Sequence, residues 1–342
     1  MILNKLRPTE VYDTYWKFAA ERQNIFFRRM FTEERPWTDD EILGKYKFTN
    51  AYRASDRVSQ YLIRNVIYTD EKFSPEDTCF RILLFKMFNK IETWEYMEQR
   101  LGTLSYSSYC YEEYERLLTQ RLINGQKIFS AAYIMPSGKS SFGYGKKHQN
   151  NLKLLEFMMR SKLPVKIAGA KTLEEVYKIL LSFPMIGSFL AFQYAIDLNY
   201  SELCDFSEME FVVAGPGAKN GICKCFQDFG EYKYEDIIKA VAENQEKEFE
   251  SRGLKFETLF GRCLQLIDCQ NLFCETDKYA RIAHPDICGL DDRKTIKQRY
   301  KQQYHDRIYY FYPPKWGIND KIAMQYKNKS KDSVHRRKSH EY

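Results

Sequence analysis

The residues from Leu180 to Phe226 read LLSFPMIGSFLAFQYAIDLNYSELCDFSEMEFVVAGPGAKNGICKCF. Pro184 and Gly187 lie in a short apolar turn between two stretches with helical periodicity, a pattern typical of a helix-hairpin-helix. A glycine-containing turn lets backbone N–H groups approach a phosphate, and the N-terminus of the next helix adds positive potential. We therefore expect Pro184, Ile186, Gly187 and Ser188 to contact the DNA backbone without reading a base.

The second helix of this hairpin is predicted from Phe189 to Leu198. It places Gln193 and Asp197 four residues apart, on one helical face. Further acidic residues follow the helix, at Glu202, Asp205, Glu208 and Glu210. The hairpin is thus followed closely by several carboxylates.

The glycine-rich run from Gly215 to Gly221 is neither a P-loop nor a dinucleotide fingerprint. Gly221 is followed by Ile-Cys instead of Lys-Ser/Thr, and no βαβ pattern surrounds the run. We interpret it as a tight turn into a helix at Ile222 to Phe226. Gly215, Gly217 and Lys219 would then lie where free N–H groups can meet a phosphate.

Composition sets broad limits on the class of protein. The chain has 342 residues, 44% of them hydrophobic, and a net charge of +7, which suits a nucleic-acid partner without requiring one. The odd number of cysteines, nine, and the absence of a secretory segment favour reduced thiols in a cytoplasmic protein. The run of Cys263, Cys269, Cys274 and Cys288 does not match iron–sulfur ligand spacing. We expect no metal, no cofactor, no membrane span and a monomer.

An arginine-containing block lies near the N-terminal end. Arg53, Asp56, Arg57 and Gln60 have helical spacing that would place them on one face. Because arginine presents a fork that matches phosphate oxygens, Arg53 and Arg57 are candidates for DNA contact. A surface network of ion pairs explains the same spacing.

Two further segments carry polar groups beside apolar ones. Ser74-Pro75 predicts the start of a helix that runs through Phe88 and is followed by Asn89, Glu92 and Thr93. Polar groups at the end of a buried helix are often directed into a cleft, although a capped and solvated helix end fits equally. After Tyr133, a loop with Lys146 and Lys147 could lie on a nucleic-acid backbone or be a plain exposed turn.

The hairpin followed by a carboxylate resembles the helix-hairpin-helix superfamily of DNA glycosylases. The segments FxAFQYxxDLNYS and FxEMEFVVAGPGAxxGI are more closely similar to the helical domain family of 5-hydroxymethyldeoxyuridine DNA kinases. That family is grouped with phage α-glutamyl/putrescinyl thymine pyrophosphorylases, and the chain also looks like bacterial anti-phage glycosylases that excise glucosylated hydroxymethylcytosine. The kinases, the pyrophosphorylases and the anti-phage glycosylases all act on modified bases in DNA.

The resemblance implies an all-α, two-lobed, glycosylase-like fold with few short strands. We expect an N-terminal helical segment at 1–75, a catalytic core at 76–290, an aromatic segment at 291–320 and a basic, mobile tail at 321–342 that adds nonspecific DNA affinity. Tyrosines and other aromatic residues of the third segment would pack on the core or stack on DNA.

The resemblance also suggests roles for individual residues. A glycosylase needs an extruded nucleotide and a carboxylate that stabilises the sugar cation or activates water. The candidate catalytic residues are Glu208, Glu210 and Asp197. If their segment is extended, Glu208 and Glu210 point to the same side. The candidate base pocket consists of Asn89, Glu92, Thr93, Gln193 and Tyr133.

The expected function is a monofunctional DNA glycosylase that removes a hypermodified base, such as glucosylated hydroxymethylcytosine, from double-stranded phage DNA as a defence. The alternative is a kinase or pyrophosphorylase-type transferase acting on 5-hydroxymethyluracil in DNA, for which Arg53, Arg57 and Lys90 could stabilise the leaving group. A third possibility is a noncatalytic DNA-binding module, which the hairpin and the basic tail would also serve.

Overall fold

The computed structural model describes residues 2–31, 35–301 and 308–327, and these are mainly helical. The all-α fold class expected from the sequence is confirmed. The two short strands in these ranges, β1 (Arg7–Pro8) and β2 (Phe226–Asp228), pair antiparallel. Residues 328–342 of the predicted basic tail lie outside the described ranges.

The helices follow one another along the whole chain. In order they are α1 (Glu10–Phe31), α2 (Glu41–Lys45), α3 (Arg57–Tyr61), α4 (Pro75–Phe88), α5 (Ile91–Leu101), α6 (Tyr111–Ile123), α7 (Lys139–Phe142), α8 (Lys147–Arg160), α9 (Leu163–Gly169), α10 (Leu173–Leu181), α11 (Ser188–Asn199), α12 (Pro216–Cys225), α13 (Tyr234–Glu243), α14 (Gln245–Ser251) and α15 (Leu266–Ala283). Short 3-10 turns occupy Ile2–Lys5, Arg53–Ser55 and Pro314–Trp316, and a π-helical turn occupies Leu62–Ile67.

The chain divides into two compact units. Unit 1 consists of Met1–Asp56 together with Ala214–Tyr342, and unit 2 is the continuous segment Arg57–Val213. Unit 2 is therefore inserted into the sequence of unit 1. The domain boundaries expected from the sequence, after residues 75, 290 and 320, and the glycosylase-like arrangement remain predictions.

The core of unit 1 is built from α1, α12 and α15. Tyr15 and Trp16 of α1 are fully buried, and the ring of Tyr15 lies 4.5 Å from that of Phe273 on α15. The hydroxyl of Thr9 accepts a hydrogen bond from the N–H of Val11, which satisfies one of the free donors at the start of α1. Aromatic packing along one face thus fixes α1 against α15.

The backbones of α12 and α15 approach each other closely at two glycines. A Cβ atom added at Gly221 would lie 2.7 Å from the carbonyl carbon of Phe273 and nearer still to its oxygen. A Cβ atom at Gly217 would meet the side chain of Cys274. The run expected to be a tight turn is therefore mostly helix, since α12 begins at Pro216, where proline at the first helical position is well tolerated. Its glycines allow helix packing.

Unit 2 contains α4, α8 and α11 in its core. Ser74 caps α4 as predicted, because its hydroxyl accepts the N–H of Asp77 at 3.0 Å and Pro75 is the first helical residue. From Leu190 to Asn199 every residue of α11 is buried. A helix that is buried on all sides places its polar side chains inside the unit, where each needs a polar partner.

The sequence from Leu259 to Ile267 predicts a helix, but most of that range is not helical in the structure. Leu259 and Arg262 form an isolated β-bridge, and α15 begins only at Leu266. The φ angles of Phe260 and Gly261 are 54° and 97°, and such positive values do not occur inside a right-handed helix. In the ranges that the structure covers, the helices are too short or too polar to cross a membrane.

Candidate functional site

The predicted hairpin consists of α10, a six-residue turn and α11, all within unit 2. Ile186 is buried and anchors the turn, Pro184 is partly exposed, and Gly187 and Ser188 are exposed. Gly187 is the residue before the helix, and no side chain caps it. The start of α11 is therefore exposed and lacks a side-chain cap, as a phosphate contact to its first N–H groups would require. DNA contact by these four residues remains a prediction.

A buried ion pair connects α4 and α11. The Nζ atom of Lys86 lies 3.2 Å from Oδ2 of Asp197, and the two side chains are 3% and 0% exposed. Burying two charges costs several kcal/mol per ion, which the ion pair repays only with good geometry and further hydrogen bonds. A buried lysine and carboxylate in a helical core are thus candidates for a functional site.

Lys86 also contacts two residues that the sequence assigned to a base pocket. Its Nζ donates to Oδ1 of Asn89 at 2.9 Å and lies 4.3 Å from the centre of the Tyr133 ring. The amide of Asn89 in turn donates to the hydroxyl of Ser130 at 3.2 Å. Lys86 therefore brings Asn89, Tyr133 and Asp197 together. We call these four residues, with Lys86 included, the Lys86 cluster.

Two members of the Lys86 cluster have left-handed backbone conformations. Asn89 ends α4 with a φ of 49°, and Tyr133 has a φ of 54°. Left-handed conformations are tolerable for asparagine but costly for a tyrosine, and such strain is concentrated at functional sites. The ring of Tyr133 stacks on Phe189 at a centroid distance of 6.0 Å. Tyr133 is partly exposed, whereas Lys86 and Asp197 are buried.

The other pocket candidates have different surroundings. Gln193 is buried one turn before Asp197 on α11. Thr93 is also buried, and its hydroxyl donates to the carbonyl of Ile128 at 2.9 Å, which connects α5 to the segment around Ile128. Glu92 is 53% exposed and its carboxylate pairs with Lys90 at 2.7 Å, which lowers the pKa of Glu92. Glu92 thus faces solvent.

Glu208 and Glu210 lie in a turn after α11, not in an extended segment. Glu208 is 5% exposed, whereas Glu210 is exposed, so the two carboxylates lie in different environments. The side chain of Asn199 fixes the start of this turn through two hydrogen bonds with the backbone of Phe206, at 2.9 and 3.0 Å. The condition for both carboxylates to point the same way is therefore not met.

The arginine-containing block does not form one helical face. Arg53 belongs to a 3-10 turn, Asp56 is extended with a ψ of 144°, and α3 begins at Arg57. Arg53 is 1% exposed, and its backbone N–H donates to Asp268 at 2.8 Å. Arg57 is exposed in unit 2. The prediction that these residues share one helical face is wrong, because the helix is interrupted at Asp56.

The remaining DNA-contact candidates are scattered. Gly215 is buried, Gly217 packs on Cys274, and Lys219 lies over the ring of Tyr234 at 5.5 Å. In unit 2, Lys146 is exposed at the start of α8, and the ammonium of Lys147 lies 4.4 Å from the Phe129 ring. Burial lowers the pKa of Lys147. Their roles in DNA binding remain predictions.

The sequence did not single out Lys86, because it lies within an apolar helical run and its partners are distant in the chain. A lysine among buried residues such as Phe85 and Met87 was the available signal. No group of three or more potential metal ligands occurs in residues 2–31, 35–301 and 308–327.

Comparison with known proteins relates the chain to enzymes of DNA-base modification. The model of the family "5-hmdU DNA kinase, helical domain" matches residues 9–289. A 5-hmdU DNA kinase of Bacillus phage SP10 is 28% identical over 290 residues, which cover 79% of this chain and 45% of the phage protein. This chain thus spans less than half the length of that relative. No solved structure matches it significantly.

These matches correct the expected function. The family and the phage relative are described as kinases acting on 5-hmdU in DNA, so the prediction of a hydrolytic DNA glycosylase with a role in antiviral defence is wrong. The resemblance limited the substrate class to modified bases but did not choose the reaction. Because the family model covers most of the sequence, the chain belongs to the family of the 5-hmdU DNA kinase helical domain.

Proposed function

We propose that the chain binds 5-hydroxymethyluracil in DNA and takes part in kinase-type transfer of a phosphoryl group to its hydroxymethyl oxygen. Family membership and the name of the phage relative support this activity. The observation that carries the proposal is the Lys86 cluster. It joins an ammonium, a carboxylate, an amide and an aromatic ring within one unit.

The chemistry of the Lys86 cluster suits a flipped pyrimidine. The amide of Asn89 can hydrogen-bond the polar edge of a uracil, and Tyr133 offers a ring for stacking once it turns away from Lys86. Stacking of a base on an aromatic side chain is worth about 1–3 kcal/mol. Asp197 then lies beside the only hydroxyl that distinguishes 5-hydroxymethyluracil from thymine.

In the proposed step Asp197 acts as the general base. The hydroxymethyl oxygen forms a bond to the γ-phosphorus of a nucleoside triphosphate while the bond from that phosphorus to the β,γ-bridging oxygen breaks. The hydroxymethyl proton passes to Asp197, and a nucleoside diphosphate leaves. Lys86 holds the Asp197 carboxylate in position and offsets negative charge near the acceptor oxygen.

The hairpin could hold the strand while the base is bound. Ser188 and Asp197 are on the same helix, nine residues apart, which corresponds to roughly 13 Å along its axis. Phosphate contact at the start of α11 would therefore fix the backbone at a short distance from the carboxylate. Non-base contacts of this kind position DNA, and the pocket supplies selectivity.

The first experiment compares duplexes of one sequence that carry thymine or 5-hydroxymethyluracil at a single position. Binding is measured by fluorescence anisotropy, and phosphorylation is measured by mass spectrometry of nucleosides after incubation with Mg²⁺ and ATP. We expect tighter binding of the hydroxymethylated duplex and a product heavier by one phosphoryl group. Equal binding of both duplexes with no product would overturn the proposal and would indicate a noncatalytic DNA-binding module.

Variants test the role of Asp197. Asp197→Asn should lower the rate of phosphoryl transfer by about 10²–10⁴-fold, the usual contribution of a general base, and leave duplex binding largely intact. Glu174→Gln is the matched control, because it also removes a carboxylate paired with a lysine in unit 2, but on the exposed face of α10. Circular dichroism verifies folding. Equal rates for both variants would exclude Asp197 as the base.

A further inference from the structure

A second buried charge cluster lies in unit 1, where two cations share one carboxylate. Nζ of Lys224 on α12 lies 3.0 Å from Oδ1 of Asp277 on α15, and Nη2 of Arg281 lies 2.5 Å from Oδ2. The side chains of Lys224, Asp277 and Arg281 are 3%, 1% and 12% exposed. These three side chains carry a net charge of +1. Buried positive charge is costly without a negative partner, so an added anion that reaches Lys224 and Arg281 would be stabilised, in competition with the nearby carboxylate of Asp291.

The carboxylate of Asp277 is shared by three side-chain donors. Its Oδ1 also accepts the amide of Asn220 at 2.5 Å. Nε of Arg281 is buried and has no hydrogen-bond acceptor within the described part of the chain. One N–H donor of this cationic side chain is thus left unsatisfied beside the cluster.

A small cavity opens beside this cluster. Its lining includes five basic side chains, namely Lys224, Arg281, His284, Arg293 and Lys294. Asp291 and Asp292 also line it. The carboxylate of Asp291 is bound by Arg293 at 2.5 Å, and this hydrogen bond lowers the pKa of Asp291 to about 2. The cavity therefore combines a buried cationic floor with a mixed, exposed rim.

The outer wall of the cavity is fixed in place by Asn220. The side-chain oxygen of Asn220 accepts the N–H groups of Leu290 and of Asp291, the latter at 3.2 Å. Gly289 passes so close that an added Cβ atom would lie 2.8 Å from the backbone oxygen of Asn220. The wall is thus held by the same residue that contacts Asp277, so the cavity is preorganised for a ligand.

We infer that this cavity binds a phosphate group. A guanidinium matches phosphate oxygens with its planar fork, and a lysine adds a point charge. The enclosed part of the cavity is only about the size of one water molecule, so the phosphate would sit at its open mouth with some oxygens directed inward and any sugar and base outside. The bound phosphate group would belong either to a phosphodiester of the DNA backbone or to the end of a nucleotide's phosphate chain. This site is separate from the Lys86 cluster and does not depend on the proposed reaction.

The test uses inorganic phosphate and the complete chain. Calorimetric titration and thermal unfolding are carried out at constant ionic strength, with chloride as the reference ion. We expect saturable binding of one phosphate and a rise in Tm beyond that with chloride. Arg281→Gln should weaken phosphate binding at least tenfold, and Lys294→Gln, at an exposed position, should weaken it several-fold.

The control variant is Arg252→Gln, which removes a positive charge from unit 1 away from the cavity. It should bind phosphate as the wild type does. No saturable binding beyond chloride would overturn the inference, as would equal affinities for Arg281→Gln, Lys294→Gln and Arg252→Gln. If Arg281→Gln does not fold, Lys294→Gln decides.

Competition then identifies the source of the phosphate. Displacement of an unmodified duplex by phosphate, together with weaker duplex binding by Arg281→Gln, assigns the cavity to the DNA backbone. Displacement of phosphate by ADP with unchanged duplex binding assigns it to a nucleotide. If the proposed phosphorylation of 5-hydroxymethyluracil fails, the phosphate titration still stands, because it needs no modified base.

Discussion

Replacing Gly221 by alanine tests the close packing of α12 on α15. The added methyl group would lie 2.7 Å from the carbonyl carbon of Phe273, whereas non-bonded carbon atoms prefer about 3.5–4.0 Å. The neighbouring atoms belong to the backbone of α15, so they cannot rotate away as a side chain would. One helix has to shift along much of its contact.

The expected magnitude follows from two opposing effects. Inserting a methyl group into a packed core costs ~1–3 kcal/mol, and a backbone contact belongs at the upper end. Alanine in place of glycine inside a helix recovers ~1 kcal/mol. Gly221→Ala should therefore lower the free energy of unfolding by ~2 kcal/mol, which corresponds to a fall in Tm of roughly 4–8 °C.

Urea denaturation followed by circular dichroism measures this change, and two other glycines serve as references. Gly44 in α2 has open space around its Cα, so Gly44→Ala should stabilise unit 1 by up to ~1 kcal/mol. The closest atom to a methyl group at Gly217 is the Sγ of Cys274, which can rotate away, so the stability of Gly217→Ala should fall between those of Gly44→Ala and Gly221→Ala. If Gly221→Ala were as stable as the wild type, the described spacing of α12 and α15 would be refuted.

Three more predictions concern buried charge and helix ends. Burial raises the pKa of Asp56 to about 7 from 3.8, so between these pH values the folded state keeps a proton that the unfolded chain releases. The free energy of unfolding should therefore fall by at most ~4 kcal/mol between pH 4 and 7. Urea denaturation at several pH values measures this dependence, which Asp56→Asn should remove. Lys86→Met leaves Asp197 buried without its cation and should lower the free energy of unfolding by ~3–5 kcal/mol. The double variant Lys86→Met/Asp197→Leu should recover part of this loss. If the loss in the double variant equals the sum of the losses in the two single variants, the ion pair is contradicted. Ser74→Ala should cost ~1 kcal/mol by removing the cap of α4, measured the same way, and an unchanged midpoint would show that the cap contributes nothing.

Features set by neighbouring residues could be predicted from the sequence. The cap at Ser74 and the hairpin around Gly187 depend on short spacings that periodicity and turn chemistry reveal. The glycine-rich run from Gly215 to Gly221 was interpreted as a tight turn, but most of it is the helix α12. A sequence shows that a side chain is missing, and only the fold shows which backbone comes close.

The sites depend on pairings that spacing cannot reveal. Lys86 and Asp197 belong to different helices, and Asn220 and Asp277 are 57 residues apart. Asn89, Tyr133 and Asp197 were each selected on separate grounds, yet the lysine that joins them was missed because it occurs in an apolar run. The reaction could not be read either, since enzymes that cleave and enzymes that modify a base share the need to bind it.

The insertion of unit 2 into unit 1 affects how the protein is made. Tyr15 on α1 finds its partner Phe273 only after all of unit 2 has been synthesised. At about 5–20 residues per second, this interval lasts roughly 10–50 s, during which Tyr15 on α1 lacks its partner on α15. Unit 2, which is continuous, can complete its own core first. Because α15 is synthesised long after α1, the residues of α1 that pack on it stay exposed to chaperones and to aggregation until α15 has been made.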